Sequence, residues 1–211
     1  MTVALPPPPQ FGAPIEVKPT PEVLAFLATR RSTSAVTLTA PAPSPEEIAI
    51  LLRLATRVPD HGKLAPWRFV ILDGEAKARF AARLEALAQA RGDQTAAAKL
   101  AKLKIPPLAI AVISAPRDGP IPEWEQRLSA GAVCTTLLYA ALAMGYGANW
   151  ITDWYAYDAE ANAILGLSQE KDGAEKEKVA GFILLGTPRE PPLERERPDP
   201  AAPVSRWRDA G

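Results

Sequence analysis

The sequence predicts a layered fold in which helices pack against one sheet. Three observations lead there. With 211 residues, 47% of them hydrophobic, the chain can bury one sizeable core, so a single compact domain is the starting expectation. Stretches with the apolar spacing of amphipathic helices are interleaved with short β-rich runs. Two proline-rich stretches flank that patterned region: seven of the first 21 residues are proline, and a second cluster runs from Pro188 to Pro203. Proline lacks the backbone N–H and clashes with a preceding helical turn, so both stretches read as extended arms.

Thr20-Pro21-Glu22 opens a first helix with Val23, Leu24 and Leu27 on one face, and this helix runs into Arg30-Arg31-Ser32. Ser44-Pro45-Glu46-Glu47 announces the second: an N-cap serine, a proline at the first helical position and a glutamate placed to return the capping bond. Ile48, Leu51, Leu52 and Ala55 form its buried stripe. Val58-Pro59-Asp60-His61-Gly62 breaks into a loop, and 67–72 is a strand. Phe80, Leu84 and Leu87 mark a third helix ending at Gly92, and 96–104 predicts a fourth. Residues 108–114 form a nearly pure apolar strand. The longest helical pattern covers 122–144, closes at Gly145 and contains the small residues Ser129-Ala130-Gly131-Ala132, which let two helices approach closely. Strands are expected at 149–154 and 179–186, separated by a short helix over 158–165 and a charged loop around 171–178.

Composition narrows the function. Lys plus Arg and Asp plus Glu both number 24, so no net field draws the chain to nucleic acid or an anionic membrane. The N-terminus lacks the charged and apolar pattern of a signal peptide, and nothing resembles a spanning helix, so a cytoplasmic protein is expected. One cysteine, Cys134, and one histidine, His61, exclude an intrachain disulfide and a zinc site built from several such ligands. No metal is expected. There is no Gly-x-Ser-x-Gly elbow and no Walker motif, and Cys134 falls inside a buried helix. Gly145-Tyr146-Gly147 follows a helix and lacks a third glycine, so it is a helix stop rather than a dinucleotide fingerprint.

On chemistry alone, Arg30-Arg31-Ser32-Thr33-Ser34 is the best anion site, because a phosphate is met by forked guanidinium donors and hydroxyls. It also lies at a helix C-terminus, where basic residues simply complement the dipole. His61 reads either as a proton donor or cofactor contact, or as a loop imidazole tied to Asp60. Trp124, Trp150 and Trp154 suit stacking on a flat ring, and suit a core equally.

Taken in order, Arg30-Arg31-Ser32, Arg57-Val58-Pro59-Asp60-His61 with Pro66-Trp67-Arg68-Phe69, Pro122-Glu123-Trp124-Glu125-Gln126 leading to Ser129-Ala130-Gly131, and Gly181-Phe182 leading to Leu185-Gly186-Thr187-Pro188 resemble the nitroreductase superfamily. The resemblance spans most of residues 22–189. It implies an α+β nitroreductase-like layered fold with a central, mainly antiparallel sheet flanked by helices, in an intertwined homodimer with flavin sites at the subunit interface. The chain then divides into a proline-rich N-terminal arm (1–20), an FMN-binding domain (21–189) and an extended C-terminal arm (190–211) that embraces the partner. By the same resemblance Arg30, Arg31 and Ser32 bind the phosphate and ribityl end of FMN. Arg57 and His61 approach the flavin from the other subunit, and Trp150, Ile151 and Thr152 supply the backbone beside the ring. Ala141, Leu142, Ala143, Met144, Gly145 and Tyr146 align with a stretch that contacts the nicotinamide nucleotide. Two departures stand out, since Lys63 and Ala65 replace the Asn and Gln that many members carry before the Pro-Trp pair. Lys63 near the pyrimidine end would favour an anionic reduced flavin. Arg189 is the nearest basic residue after the last strand for the phosphate.

The implied activity is reduction of a small electron-poor acceptor, nitroaromatic or quinone, by ping-pong hydride transfer from NADH or NADPH, with no catalytic side chain because the flavin carries the chemistry. The rival readings are a flavoenzyme with a specialised redox reaction, a non-catalytic flavin-binding protein, and an interaction module using the proline arms.

Overall fold

The computed structural model describes residues 5–167 and 177–207. Seven α-helices are found among them: α1 Pro21–Thr29, α2 Pro45–Ala55, α3 Gly74–Ala90, α4 Gln94–Lys99, α5 Ala101–Lys104, α6 Glu123–Ala143 and α7 Ala159–Leu165. The strands are β1 Leu38–Thr39, β2 Trp67–Asp73, β3 Leu108–Ser114, β4 Gly147–Ile151 and β5 Lys178–Pro188. All pairings are antiparallel. The charged loop expected at 171–178 lies largely outside the described residues.

The sheet is organised around its last strand. β5 runs between β3 and β4, with Phe182 opposite both Ala111 and Ile151, and its end pairs with β1 through Thr39↔Thr187 and Leu38↔Pro188. β2 completes the other side of β3. Both faces of this sheet are covered, which explains why β3 is apolar from Leu108 to Ile113, with every residue of the strand buried. Ala109, Ala111, Ile113, Phe182 and Leu184 face a core closed by α3, α5 and α7. Leu108, Ile110, Val112, Ile183 and Leu185 face the opposite core, closed by α2 and α6. Cys134 is buried in this second core, and burial pushes its thiol up to about 12, which leaves it protonated and inert.

The capping box of α2 forms as the residues predict. Ser44 Oγ accepts from Glu47 N at 3.3 Å, and Ser44 N donates to Glu47 Oε2 at 2.9 Å. Two sequence expectations are corrected, and two features are added. The helix expected over 96–104 breaks at Leu100 into α4 and α5, because Leu100 is drawn fully into the core. The strand expected over 149–154 runs instead over 147–151, and Trp154 opens a 3-10 turn capped by Asp153. The two-residue β1 carries no periodic signal and was not expected. Finally, Val23, Leu24 and Leu27 of α1 are 50%, 67% and 49% exposed, so their shared face is left uncovered by the chain itself.

Close approach fixes Gly186. A Cβ there would lie 2.7 Å from the Thr39 carbonyl oxygen and 2.8 Å from Pro107 Cδ, so backbone would have to move. Gly186→Ala is expected to cost about 2–3 kcal/mol, as overpacking does. Thermal denaturation should read this as a fall of roughly 5–10 °C in Tm for a domain of this size.

Candidate functional site

Residues 30–34 leave α1 in extended conformation, with Arg30 at φ −60° and ψ 142°. The segment is pinned to the edge strand β4: Thr33 N donates to Ala148 O at 2.9 Å, and Asn149 Nδ2 donates to Thr33 O. Thr33 is buried, and Gly147 admits this approach, since a Cβ there would sit 3.1 Å from Thr33 Oγ1. Arg30 lies over the Tyr139 ring, 5.2 Å from its centroid, and reaches Ser32 Oγ at 3.4 Å. Its Nε is buried with no hydrogen-bond partner. A buried guanidinium donor without an acceptor is costly, so this atom stands out among the polar groups of the described residues.

Arg31 faces the C-terminal segment. Its Nε donates to Leu193 O at 2.9 Å and lies 3.8 Å from Glu194 Oε1. Residues 31–34, Thr37 and 190–194 line a groove of about 600 Å3. Arg189 joins the same region by its backbone, donating to Thr37 O at 3.0 Å, while its side chain is exposed.

The second cluster follows α2. Asp60 accepts from Leu64 N at 3.2 Å and Ala65 N at 2.8 Å, so its carboxylate is spent on shaping the loop. His61 is therefore not tied to Asp60: its Nδ1 meets Glu125 Oε2 at 2.7 Å. A carboxylate oxygen accepts here, so the bond places the imidazole proton on Nδ1. Ser129 Oγ donates to Pro59 O at 2.6 Å and fastens the loop to α6. Lys63 is exposed at φ +54° and Ala65 at φ +46°, a left-handed conformation that side chains bearing a Cβ resist. Ala65→Gly is expected to raise stability by about 0.5–1 kcal/mol, because the left-handed penalty exceeds the entropic cost of glycine. Urea denaturation checks it through the midpoint.

Trp150 donates from Nε1 to Ala180 O at 3.2 Å and lies across Gly181, where a Cβ would come within 1.9 Å of that nitrogen. Ile151 packs on the core and Thr152 is exposed, its Oγ1 accepting from Tyr157 OH at 2.7 Å. Trp150 and Trp124 are partly exposed, while Trp154 packs against the core. Of the stretch 141–146, Ala141 is buried, Leu142, Met144 and Tyr146 pack on the α2–α6 core, and Gly145 turns the chain at φ +88°. Tyr146 OH donates to Glu47 Oε2 at 2.7 Å. Burial, reinforced by that carboxylate, pushes the Tyr146 phenol up to about 12.

Arg30 and His61 are thus brought to opposite ends of α6, through Tyr139 and Glu125. Fourteen residues at 1.5 Å each separate those anchors by about 21 Å, so one chain does not gather them into one pocket. Tyr139, Glu125, Asn149 and Thr33 carry no local signal of these roles, because each meets its partner through the tertiary fold. Among the described residues, no helix is long and apolar enough to cross a membrane, and no group of three or more His, Cys, Asp or Glu could hold a metal ion.

A sequence profile described as "Nitroreductase family" matches residues 27–187. The Escherichia coli (strain K12) protein named "Putative NAD(P)H nitroreductase YdjA" is 33% identical over 171 residues, which is 80% of this chain and 89% of that protein. Among solved structures, a nitroreductase-like family protein from Bacillus cereus superposes with a TM-score of 0.73 at 18% identity, covering 92% of this chain and 99% of its own. A nitroreductase with bound FMN from Bacteroides fragilis NCTC 9343 superposes with a TM-score of 0.64 at 20% identity, covering 90% of this chain and 100% of its own.

Proposed function

The chain belongs to the nitroreductase family, and from that membership we propose that it is an FMN-dependent oxidoreductase using NADH or NADPH to reduce a small electron-poor acceptor of the nitroaromatic or quinone type. The observation that carries this reading is the buried, partnerless Nε of Arg30 beside two hydroxyl side chains, Ser32 and Thr33, which suits the phosphate of FMN. Bound FMN supplies the redox chemistry, taking a hydride from the nicotinamide and delivering electrons to the acceptor in alternating half-reactions. The chain's own residues bind, orient and shield. Arg30, Arg31 and Ser32 hold the phosphate end, with the Arg189 side chain in reach of the same loop. The β4 segment Trp150, Ile151 and Thr152 borders the ring. Arg57 and His61, the latter held by Glu125, meet the flavin from the neighbouring subunit.

That last assignment needs a homodimer, and two features support one. Trp124 and Leu128 are 63% and 62% exposed on α6, in line with half-buried Gly131, Thr135 and Tyr139, and the bare face of α1 lies beside them through the edge-on contact of Phe26 with Tyr139. A two-fold axis across α6 sets the Arg30 end of one chain against the His61 end of the other, and closes the 21 Å gap along the helix. The stretch 141–146 would contact the nicotinamide nucleotide only through Ala143, Gly145 and the outer edges of Leu142, Met144 and Tyr146, since Ala141 is buried.

The test is an absorbance spectrum of the purified protein before and after anaerobic NADH or NADPH. A flavin spectrum that bleaches and recovers with a nitroaromatic or quinone is expected. A bound flavin that resists both nicotinamides would make the chain a binding protein, and a colourless protein that cannot be reconstituted with FMN would overturn the reading. Lys63→Ala is expected to lower the flavin midpoint potential, because a positive charge that favours the reduced anion is removed; an unchanged potential would remove Lys63 from the site.

A further inference from the structure

The N-terminal proline run does not project freely. Residues 5–9 lie along the end of α2, where Arg53 Nη2 donates to Pro6 O at 3.1 Å. Together with Arg53, Leu54, Thr56 and Arg57 they line a groove of about 550 Å3, a volume that suits a small organic ligand. Its walls are apolar: Leu5, four consecutive prolines and Leu54. Four prolines in a row present no backbone N–H, so the wall offers a ligand no donors. The Thr56 hydroxyl is engaged, donating to Arg53 O at 3.1 Å. The remaining donors are two guanidiniums, and no carboxylate lies among the lining residues. Among the described residues the Arg57 backbone N–H donates to Leu54 O at 3.1 Å, and its guanidinium has no hydrogen-bond or ion-pair partner.

From this combination we propose that the groove binds an organic anion with an apolar body, an aromatic carboxylate above all, and that the proline run is a wall of that site. The apolar body lies against Leu54 and the prolines, and the carboxylate meets the forks of Arg53 and Arg57. Arg57 is also a residue of the proposed flavin site, so the groove borders the reaction. The inference deepens the flavin reading by giving the acceptor a charge, and its catalytic consequence rests on that reading, whereas the binding itself does not.

The first experiment is a calorimetric titration of the full-length protein with 2-naphthoate and with neutral 2-naphthalenemethanol. Binding of 2-naphthoate at least about ten-fold more tightly than the alcohol is expected, as for one charge-assisted contact. Arg53→Gln should bring the two ligands within about three-fold of each other, and Arg53→Lys should recover part of the preference. Replacing Pro6 to Pro9 by four glycines should weaken both ligands together and leave their ratio intact. Equal affinity in the wild type, or a preference untouched in Arg53→Gln, overturns the proposal. A second readout is the KM for 4-nitrobenzoate against its methyl ester. The acid should have the lower KM, and Arg53→Gln should erase that difference; equal KM values in the wild type would overturn the acceptor assignment. If NADH and NADPH leave the protein's spectrum unaltered while 2-naphthoate still binds selectively, the flavin reading fails and the groove stands.

Discussion

Arg30→Gln is expected to yield a protein that purifies without colour and binds FMN roughly 100-fold more weakly, a loss of about 3 kcal/mol from charge-assisted bonds to a phosphate. Two features of Arg30 make the effect large. Its Nε is already buried and partnerless, so the desolvation cost is present before the ligand arrives and the phosphate gains a donor that has no competing bond. Its guanidinium is also held over Tyr139, 5.2 Å from the ring centroid, which limits the rotamers lost on binding. Arg31 differs, being engaged by Leu193 O and Glu194, so Arg31→Gln should weaken FMN less. Quenching of flavin fluorescence on titration reads both values. Full retention of FMN by Arg30→Gln would move the phosphate site elsewhere.

If the proposed homodimer packs through α6, Gly131→Leu is expected to turn it into a monomer at micromolar concentration and to release FMN with it. Inside a helix glycine costs about 0.5–1 kcal/mol relative to alanine, so a reason for it is needed. The chain itself provides none: a Cβ at Gly131 meets no heavy atom within 4 Å. Its neighbours Ser129 and Ala130 are buried against the chain's own interior, so the small-residue patch is split, with only Gly131 and Ala132 left toward the outer face. A leucine placed where two helices meet forces their axes apart, and both composite sites depend on that packing. Sedimentation velocity, with FMN absorbance recorded on the same boundary, checks the result. Dimers that keep FMN in Gly131→Leu would exclude α6 as the interface. Far-UV circular dichroism should meanwhile show an intact fold, since nothing within the chain opposes the new side chain.

The parts of the fold that could be read in the sequence are those encoded by neighbours. Ser44 and Glu47 cap α2 across three residues, and β3 announces itself by six apolar residues in a row, Leu108 to Ile113. Where residues answer to distant partners, the reading fails. β1 exists because β5 pairs with it 148 positions later, and Leu100 breaks a helix because the core takes its side chain. The amphipathic face of α1 is real in pattern, yet Val23, Leu24 and Leu27 are left exposed, because no other element of the described chain packs over them. The site follows the same rule. Residue types alone left Arg30-Arg31-Ser32 between an anion loop and basic residues complementing a helix end. Of the two readings of His61, the one that ties it to adjacent Asp60 fails, because Asp60 spends its oxygens on Leu64 and Ala65 and leaves the imidazole to Glu125, 64 positions away.

The placement of β5 has a consequence for synthesis on the ribosome. The strand that joins β3, β4 and β1 is the last among the described residues, so β2 and β3 emerge as an antiparallel pair whose inner edge waits for residues 178–188. Until then a strand with six apolar residues in a row offers unsatisfied backbone groups to any neighbouring nascent chain. Assembly of the sheet therefore waits on β5 and is governed by long-range closure. Holdase chaperones that mask β3 should raise the yield of folded protein more than any change in the rate of helix formation.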